Sequence, residues 1–496
     1  MRLAELARAV PAASVVAGGE AEITGVAYDS RRVRPGDLFV AVRGIHADGH
    51  DYAAEAASTA AAVAVEREVA VPAGTPILRL ADSRTGLAEL AAALHGRPGR
   101  KLRVAGVTGT DGKTTVTHMA AHILNSAGRR AGAMSTVAFQ VGGTESDNLT
   151  GQTTTESPEV QERLAAMVTA GMEYAIVEAT SHALVQQRVA ACEFDVAAYT
   201  YVGHDHLDYH ATWEDYLQAK SRLIDLCAAG FDKGVPKTAV LNRDDASFDH
   251  LAGRPIARRM AYSIEVAADV RASDLVLEAG GARFTLVAGT AAHAVHLRQP
   301  ARFNVQNALC AAGICLAFGL PLDAVASGLS SFGGVRGRLE QVELGQPFRL
   351  YIDFAHAAGA LRSVLTELRA AAAGRLIVVF GSTGRSDHDR PGMGRAAAEA
   401  ADFFVITSDD PVREDPAEIA RQVAAGAVGR REGRDYEVVL VRREAIRRAV
   451  RLARPGDVVL LAGKGHERTM ITAAGAEPWD ERAEAEAAIR ELRTRA

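Results

Sequence analysis

The sequence predicts an α/β protein of three domains, and three observations carry that expectation. From residue 99 onward, strand-like apolar runs alternate with segments of helical spacing, the pattern of a mostly parallel sheet. The run Gly109-x-x-Gly112-Lys113-Thr114 lies between a strand and a helix, the context a phosphate loop needs. Two breaker clusters, His95-Gly-Arg-Pro98 and Phe332-Gly-Gly-Val-Arg-Gly-Arg338, divide the 496 residues into segments 1–98, 99–335 and 336–496.

In the first segment, Ile23–Tyr28, Leu38–Val42, Ala62–Val65 and Pro76–Leu80 read as strands. Asp29 to Asp37 is a polar turn, Gly44 to Gly49 a second loop, and an Ala-rich helix follows it. Ser83–Leu94 reads as a helix that stops at the Gly/Pro pair.

The second segment opens on the strand Leu102–Val107. The turn Gly109-Thr-Asp-Gly-Lys-Thr-Thr115 follows, then a helix over 116–127 with Val116, Met119, Ala120, Ile123 and Leu124 at helical spacing. Backbone N–H groups of such a turn face an anion, Lys113 adds a point charge, and the Thr114 hydroxyl suits Mg²⁺. A polar loop, Gln152 to Pro158, precedes the helix Glu159–Ala170. The buried strand Tyr174–Val177 then ends at Glu178. Ligands gather at the carboxyl ends of strands in open α/β sheets, so Glu178 is a metal candidate, with a capping or surface glutamate as the alternative. The strand Asp195–Val202 runs into His204-Asp-His-Leu-Asp-Tyr-His210, which reads either as a hydrated turn or as a site for metal or phosphate. Magnesium is favoured over zinc, because no cysteine is near in sequence. Thr212 is the expected N-cap of the helix Thr212–Ile224. Its apolar face is Trp213, Tyr216, Leu217, Leu223 and Ile224, and Lys220 falls on that face, where a lysine ordinarily snorkels its head to water. Residues 225–300 hold strand-like pieces such as Arg283–Val287. Arg302-Phe-Asn-Val-Gln-Asn307 leads into an Ala-rich helix ending near Leu316, with capping the local reading of Asn304 and Asn307.

In the third segment strands are expected at 348–352, 375–380, 403–407, 437–441 and 458–461, with a helix over 415–428. Polar clusters follow four of the strand ends: Asp353 to His356, Gly381 to Asp387, Ser408 to Pro411 and Gly463 to Glu467. Together they describe one binding face.

The bulk numbers narrow the class. A hydrophobic content of 48% is ordinary for a globular chain. A net charge of −5 and a pI near 6.3 argue against binding dominated by nucleic acid. Cys192, Cys227, Cys310 and Cys315 show no C-x-x-C spacing, so a reduced, cytoplasmic protein is expected. The N-terminus lacks a signal-peptide h-region, and the Ala-rich run 53–65 is too short and polar to insert in a membrane. A monomer is the expected state.

These residues resemble the Mur ligase family, and most closely its MurE type, along nearly the whole chain. The resemblance rests on Asp29-Ser-Arg31, Pro35-Gly-Asp-Leu-Phe-Val-Ala41, Gly109 to Thr115, Glu178-Ala-Thr-Ser-His182, His204 to His210, Arg302 to Asn307, Gly337-Arg-Leu-Glu340 and Gly463-Lys-Gly-His-Glu467. It implies an N-terminal UDP-binding α/β domain, a central P-loop parallel-sheet ATPase domain and a C-terminal Rossmann-like α/β domain that closes on it. The implied reaction adds a diamino acid to UDP-N-acetylmuramoyl-L-alanyl-D-glutamate through an acyl phosphate, with ATP and Mg²⁺, in peptidoglycan synthesis.

The resemblance also implies residue roles. Tyr28, Ser30, Ile45, His46 and Ala47 would hold the UDP end of the substrate. Thr153, Thr154, Ser181, Gln186 and Arg188 would hold the muramoyl-dipeptide. ATP would lie on Gly109, Thr110, Asp111, Gly112, Lys113, Thr114 and Thr115, with Asn304, Asn307 and Arg338 nearer its adenine and ribose. Thr114 and Glu178 would ligate one Mg²⁺, and His206 with Lys220 a second. The matching lysine of the family is carbamylated by CO₂, which explains a lysine on an apolar face. Asp353 and His356 would orient reacting groups or assist proton transfer. Arg385, Asp409, Asp410, Pro411, Val412, Gly463 and Glu467 would receive the amino acid.

The chain departs from the family pattern in places. Asp111 stands where asparagine is usual. Asp353-Phe-Ala-His-Ala-Ala358 replaces Asp-Tyr-Ala-His-Thr-Pro, and Ser386 takes the usual arginine position beside Arg385. Enzymes adding meso-diaminopimelate carry Asp-Asn-Pro-Arg, whose arginine grips the distal carboxylate. This chain has Asp409-Asp-Pro-Val412. Val412 cannot bind a carboxylate, whereas Asp410 and Glu467 suit an ammonium, so L-lysine or L-ornithine is expected over diaminopimelate. Arg413, one residue on, leaves diaminopimelate as the alternative. Folylpolyglutamate synthase shares the compact phosphate loop but lacks the motif of residues 1–98. A non-catalytic relative that binds UDP-muramoyl peptide or ATP is the rival of a different class.

Overall fold

In the computed structural model of the chain, residues 1–44, 47–203, 210, 212–278, 280–384 and 389–495 are described. They form two compact units. The first comprises Met1–Ala272, Leu286–His293 and Gln306–Gly328, and the second Ser273–Thr285, Ala294–Val305 and Leu329–Ala496. Each of the three sequence segments builds its own principal sheet.

The sheet of the first segment runs Ser14–Ala17, Ile77–Arg79, Ala62–Val65, Asp37–Val40, Gly25–Ala27. Its last four strands are parallel, and Ser14–Ala17 is antiparallel to its neighbour. The helix Ser83–Leu94 forms where the spacing places it, because the Asp82 carboxylate caps it by accepting from Thr85 N at 2.7 Å. The Ala-rich helix after Gly49 is short. It consists of a 3₁₀ turn, Gly49–Tyr52, and four α-helical residues, Ala53–Ala56.

In the second sheet the first unit contributes the parallel run Arg258–Ser263, Thr238–Asn242, Val196–Tyr199, Arg103–Thr108, Tyr174–Glu178, Ala131–Met134. The strands Ala138–Val141 and Thr144–Asp147 then add antiparallel at the edge. The central strands read as unbroken apolar runs because both faces are covered. Phe194, Tyr199, Leu223 and Cys227 pack on one side of them. Gly106 has no side chain because a Cβ there would come within 2.6 Å of Leu223 Cδ1. The helix Trp213–Ala229 starts on Thr212, whose hydroxyl accepts from Asp215 N at 3.1 Å.

Several boundaries differ from the sequence reading: the strand expected at 437–441 is Tyr436–Val438, the helix expected over 415–428 is Pro416–Ala424, and the strand expected at Asp195–Val202 is Val196–Tyr199. The helix Arg302–Ala317 begins at Arg302, so Asn304 and Asn307 lie inside its first turns rather than capping it. Pro300, followed by Ala301 at φ 82°, ends the preceding segment and starts the helix early. Asn304 Nδ2 donates back to Pro300 O at 2.8 Å.

The third sheet runs Glu340–Val342, Arg349–Asp353, Val458–Ala462, Leu376–Phe380, Phe403–Ile406, Tyr436–Val438, parallel except for the first pair. Four adjacent parallel strands therefore end on the same edge, and the four polar clusters follow them there. Helices cover both faces, and one of them is pinned by a buried ion pair. Arg442 Nε and Nη2 donate to Glu481, at 2.6 Å for the shortest bond, and Trp479 Nε1 donates to the same carboxylate at 2.7 Å. Arg442→Met leaves Glu481 buried without its partner, so we expect it to cost about 3–5 kcal/mol. Urea denaturation beside the wild type measures this, and an unchanged midpoint would refute it.

The four cysteines are all buried and unbridged. Burial pushes every thiol up, Cys227 and Cys310 to about 12. Among the described residues no helix is long and apolar enough to cross a membrane.

Candidate active site

The phosphate loop lies between the strand Arg103–Thr108 and the helix Lys113–Ser126, with Gly112 at the N-cap. Both its glycines are required. Gly109 has φ 149°, and a Cβ there would stand 1.9 Å from Thr200 Oγ1. Gly112 has φ 86°, and a Cβ would stand 2.2 Å from Asn307 Oδ1. The turn is tied down from outside by Thr110 N donating to Tyr201 O and Thr200 Oγ1 donating to Asp111 O, both at 2.6 Å. Asp111 itself is exposed. Lys113 folds back over the turn, donating to Thr110 O at 2.7 Å and Gly109 O at 3.2 Å.

Glu178 is 2% exposed, so the surface alternative is excluded. Its carboxylate accepts from Thr114 Oγ1 at 3.0 and 3.1 Å, from Thr136 N at 2.9 Å and from Thr136 Oγ1 at 3.1 Å. Thr136 Oγ1 also reaches Thr153 Oγ1 at 3.1 Å, and Thr154 Oγ1 donates to Glu178 O at 2.8 Å. Thr136 was not foreseen, because no motif surrounds it. Thr115 is buried in the first turn of the helix.

Lys220 does not snorkel. It is 1% exposed, its Nζ donates to Gly109 O at 2.7 Å and lies 4.2 Å from the Tyr216 ring centroid. Tyr216 Oη in turn meets Thr110 Oγ1 at 3.1 Å. Lys113, Thr114, Glu178, Lys220 and Asn307 thus converge on one turn. His206 and its neighbours at 204–209 lie outside the described residues, as do Ile45, His46, Arg385 and Ser386.

A second group stands beside Glu178. Arg188 donates to Thr154 O at 2.8 Å and to Gln186 Oε1 at 2.7 Å, and pairs through Nε with Glu156 at 2.9 Å. Ser181 is buried, and its Oγ has no hydrogen-bond partner among the described residues. Tyr28, Ser30 and Ala47 line one pocket of about 450 Å³, with Glu156 also in its wall. Tyr28 Oη donates to Glu159 Oε1 at 2.9 Å, and burial, then that carboxylate, hold the phenol protonated.

The second unit holds the remaining residues. Asp353 accepts from Leu339 N at 2.7 Å and Ala355 N at 2.8 Å, fixing the turn that carries Arg338. The Arg338 guanidinium lies 4.7 Å over the Phe354 ring. His356 Nδ1 carries its proton toward Phe354 O, at 2.8 Å. The His466 ring lies 4.8 Å from the Phe354 ring, tilted by 60°. Burial, then Arg338 and Arg336, push its imidazole down to about 3, so it is neutral.

The Asp409–Val412 loop is not the open acidic patch the sequence suggested. Lys464, fully buried, reaches Asp410 Oδ1 at 2.8 Å, Glu467 Oε2 at 2.6 Å and Asp409 Oδ1 at 3.9 Å. Burial alone would lower the lysine, but the carboxylates of Asp409, Glu467 and Asp410 outweigh it and raise it. Asp410 Oδ1 also accepts from Ile471 N at 2.8 Å. With Arg442 and Glu481 behind, four carboxylates face two cations, an excess of acids over bases that burial lessens by raising Asp409 and Glu467. Asp410 and Val412 hold φ of 42° and 56°, and Pro411 is buried between them. Gly463 lacks a Cβ that would stand 2.0 Å from Asp409 Oδ2.

Three sequence profiles match along the chain. The Mur ligase family catalytic domain covers residues 22–95, the Mur ligase middle domain 107–315, and the Mur ligase glutamate ligase domain 337–465. A UDP-N-acetylmuramyl-tripeptide synthetase of Roseiflexus sp. (strain RS-1) is 44% identical over 95% of each chain. This chain belongs to the Mur ligase family. A UDP-N-acetylmuramoyl-L-alanyl-D-glutamate–2,6-diaminopimelate ligase of Geobacillus thermodenitrificans (strain NG80-2) is 39% identical, over 99% of this Mur ligase and all of the relative. A solved structure of a ligase with the same name superposes with a TM-score of 0.72 at 29% identity, covering 99% of each chain. The three-domain α/β architecture of the family is therefore present, and the protein is an enzyme of the ligase class, similar to the MurE type.

Proposed function

We propose that this Mur ligase uses ATP to join a diamino acid to the D-glutamate γ-carboxylate of UDP-N-acetylmuramoyl-L-alanyl-D-glutamate. The observation that carries the reading is the convergence of Lys113, Thr114, Glu178 and Lys220 on the Gly109–Thr115 turn. The turn suits a phosphate chain, since it lies between the strand Arg103–Thr108 and the N-terminus of the helix Lys113–Ser126, where backbone N–H groups can face an anion. The Thr114 hydroxyl and the Glu178 carboxylate, already in contact, are the hard oxygen donors that suit Mg²⁺. The bound cation would offset charge on the transferring phosphoryl group.

The chain's own residues divide the work. Lys113 would add its charge to the phosphate cradle, and Asn304, Asn307 and Arg338 would serve the nucleoside. Tyr28, Ser30 and Ala47, with Ile45 and His46, would hold the UDP end in their pocket. Thr153, Thr154, Ser181, Gln186 and Arg188 would present the dipeptide carboxylate. It would attack the γ-phosphorus to give an acyl phosphate and ADP. The neutral α-amine of the amino acid would then take the acyl carbon and release phosphate. Lys220, carbamylated by CO₂, would become an anion and with His206 hold a second Mg²⁺. Its nitrogen would keep one hydrogen to donate to Gly109 O. Asp353 would fix the Arg338 turn, and His356 would orient groups beside it. Domain boundaries near 98 and 335 and a monomeric state in the cytoplasm complete the reading.

For the amino acid we favour L-lysine or L-ornithine. The excess of acids around Asp409, Asp410 and Glu467 persists after Lys464, and Val412 offers nothing to a distal carboxylate. The competing reading is 2,6-diaminopimelate, the amino acid in the name of the Geobacillus relative. Phosphate release measured with each of the three amino acids decides. We expect kcat/KM for lysine or ornithine to exceed that for meso-diaminopimelate by about tenfold or more, the worth of one charged contact. A preference for diaminopimelate would sink this assignment while leaving the ligase reading intact.

A further inference from the structure

The pocket of about 450 Å³ contains a cation that no role above uses. Among its described lining residues two are arginines, Arg31 and Arg84. Arg31 closes its fork on Asp29, through Nε at 2.9 Å and Nη2 at 2.8 Å, and so is already paired. The hydrogen bonds of Arg84 go to neutral oxygens instead. Nη2 donates to Arg43 O at 3.1 Å and Nη1 to Gln186 Oε1 at 3.5 Å. No carboxylate among the described residues lies within ion-pairing distance of it. Among the described residues three acids share this wall. Asp29 is paired with Arg31, Glu156 pairs with Arg188 Nε at 2.9 Å, and Glu55 makes no ion pair with Arg84.

The fold holds Arg84 there for a local reason. It occupies the first turn of the helix Ser83–Leu94, which Asp82 caps and whose Leu87 and Leu90 are buried. The side chain is half-buried, and its two anchors fix the guanidinium plane while leaving further N–H donors. Glu156, in the same wall, feels its charge without touching it, and a half-buried guanidinium that no carboxylate contacts is suited to a bidentate anion brought by a ligand. Its anchors point to which ligand. Arg43 adjoins the loop assigned to the UDP end, and Gln186 belongs to the residues assigned to the dipeptide.

We propose that Arg84 is an anion-recognising residue of this pocket, gripping a phosphate or carboxylate oxygen of the UDP-muramoyl peptide. The proposal rests on the pocket being the site of that substrate. Two groups of the substrate carry this chemistry, the diphosphate and a carboxylate of the dipeptide.

Calorimetric titration of the full chain separates them, using UDP, uridine and N-acetylmuramoyl-L-alanyl-D-glutamate as probes. If the diphosphate is held, Arg84→Met weakens UDP about 10- to 100-fold and leaves uridine unchanged. If the carboxylate is held, the muramoyl-dipeptide weakens by that factor and UDP does not. Arg84→Lys regains part of the loss in either case, as a charge contact requires. Unchanged binding of all probes overturns the proposal, and so does an equal loss of all three with no gain from lysine, which marks a packing role. Thermal unfolding of each variant shows that it is folded. A wild type that binds neither UDP nor the muramoyl-dipeptide overturns the pocket assignment itself, whatever Arg84 does.

Discussion

Lys220→Ala lowers kcat for ligation by about 10²–10³-fold, and a short carboxylate such as acetate or propionate restores part of it. The size is that of losing one pre-arranged electrostatic contact to the reacting phosphoryl group. The expectation of rescue comes from position. Lys220 Nζ reaches Gly109 O from the apolar face of its helix, across the Tyr216 ring. Truncation to alanine opens a space beside the phosphate loop that a small anion can enter and a carbamate would have filled. Lys220→Met keeps the volume and removes the chemistry, so it loses the same activity and is not rescued. Mass spectrometry of the untreated protein should show one added CO₂ on Lys220. A folded alanine variant that no carboxylate rescues would sink the carbamate, and an unchanged kcat would sink any role in turnover.

Glu178→Gln is the second large effect, again about 10²–10³-fold in kcat, and it moves the Mg²⁺ requirement to higher concentration. Glutamine fills the same volume, so the loss is not one of packing. The carboxylate of Glu178 accepts from Thr114 Oγ1, Thr136 N and Thr136 Oγ1. An amide presents only one oxygen to these donors and turns its NH₂ against another. It leaves a buried donor unmet at a cost of about 1–3 kcal/mol and removes the charge that would attract the cation. Titrating activity against Mg²⁺ in both enzymes is the check. Identical midpoints would remove Glu178 from the metal site.

Much of this was legible in the chain because it is local. The strand, the two glycines, Lys113 and Thr114 occupy consecutive positions, and the Thr212 cap and its helix announce themselves within a few residues. Glu178 was found because a strand's carboxyl end is a definable place. Other features were hidden because they depend on partners distant in sequence. Thr136 gains its meaning only from Glu178, 42 residues away. The negative charge of Asp410 reads as available until Lys464, 54 residues later, is folded against it. Arg84 has no motif around it, and only the folding of residues 28–55 and Glu156 beside its helix makes it part of a pocket wall. The start of the Arg302–Ala317 helix was misread because an Asn so near a break resembles a cap, while the backbone had already turned helical. Asp111, which stands where the family usually has asparagine, is exposed, and it is the backbone oxygen of that residue that the loop uses.

The four sealed cysteines make the protein a convenient object for spectroscopy. A thiol reacts as its thiolate, and Cys192, Cys227, Cys310 and Cys315 combine zero or near-zero exposure with raised pKa values. Maleimide reagents under native conditions should therefore leave the wild-type chain unlabelled. A single cysteine introduced on the surface would carry the whole fluorescent or spin-label signal, and a pair would report one distance, with no native thiol to remove first.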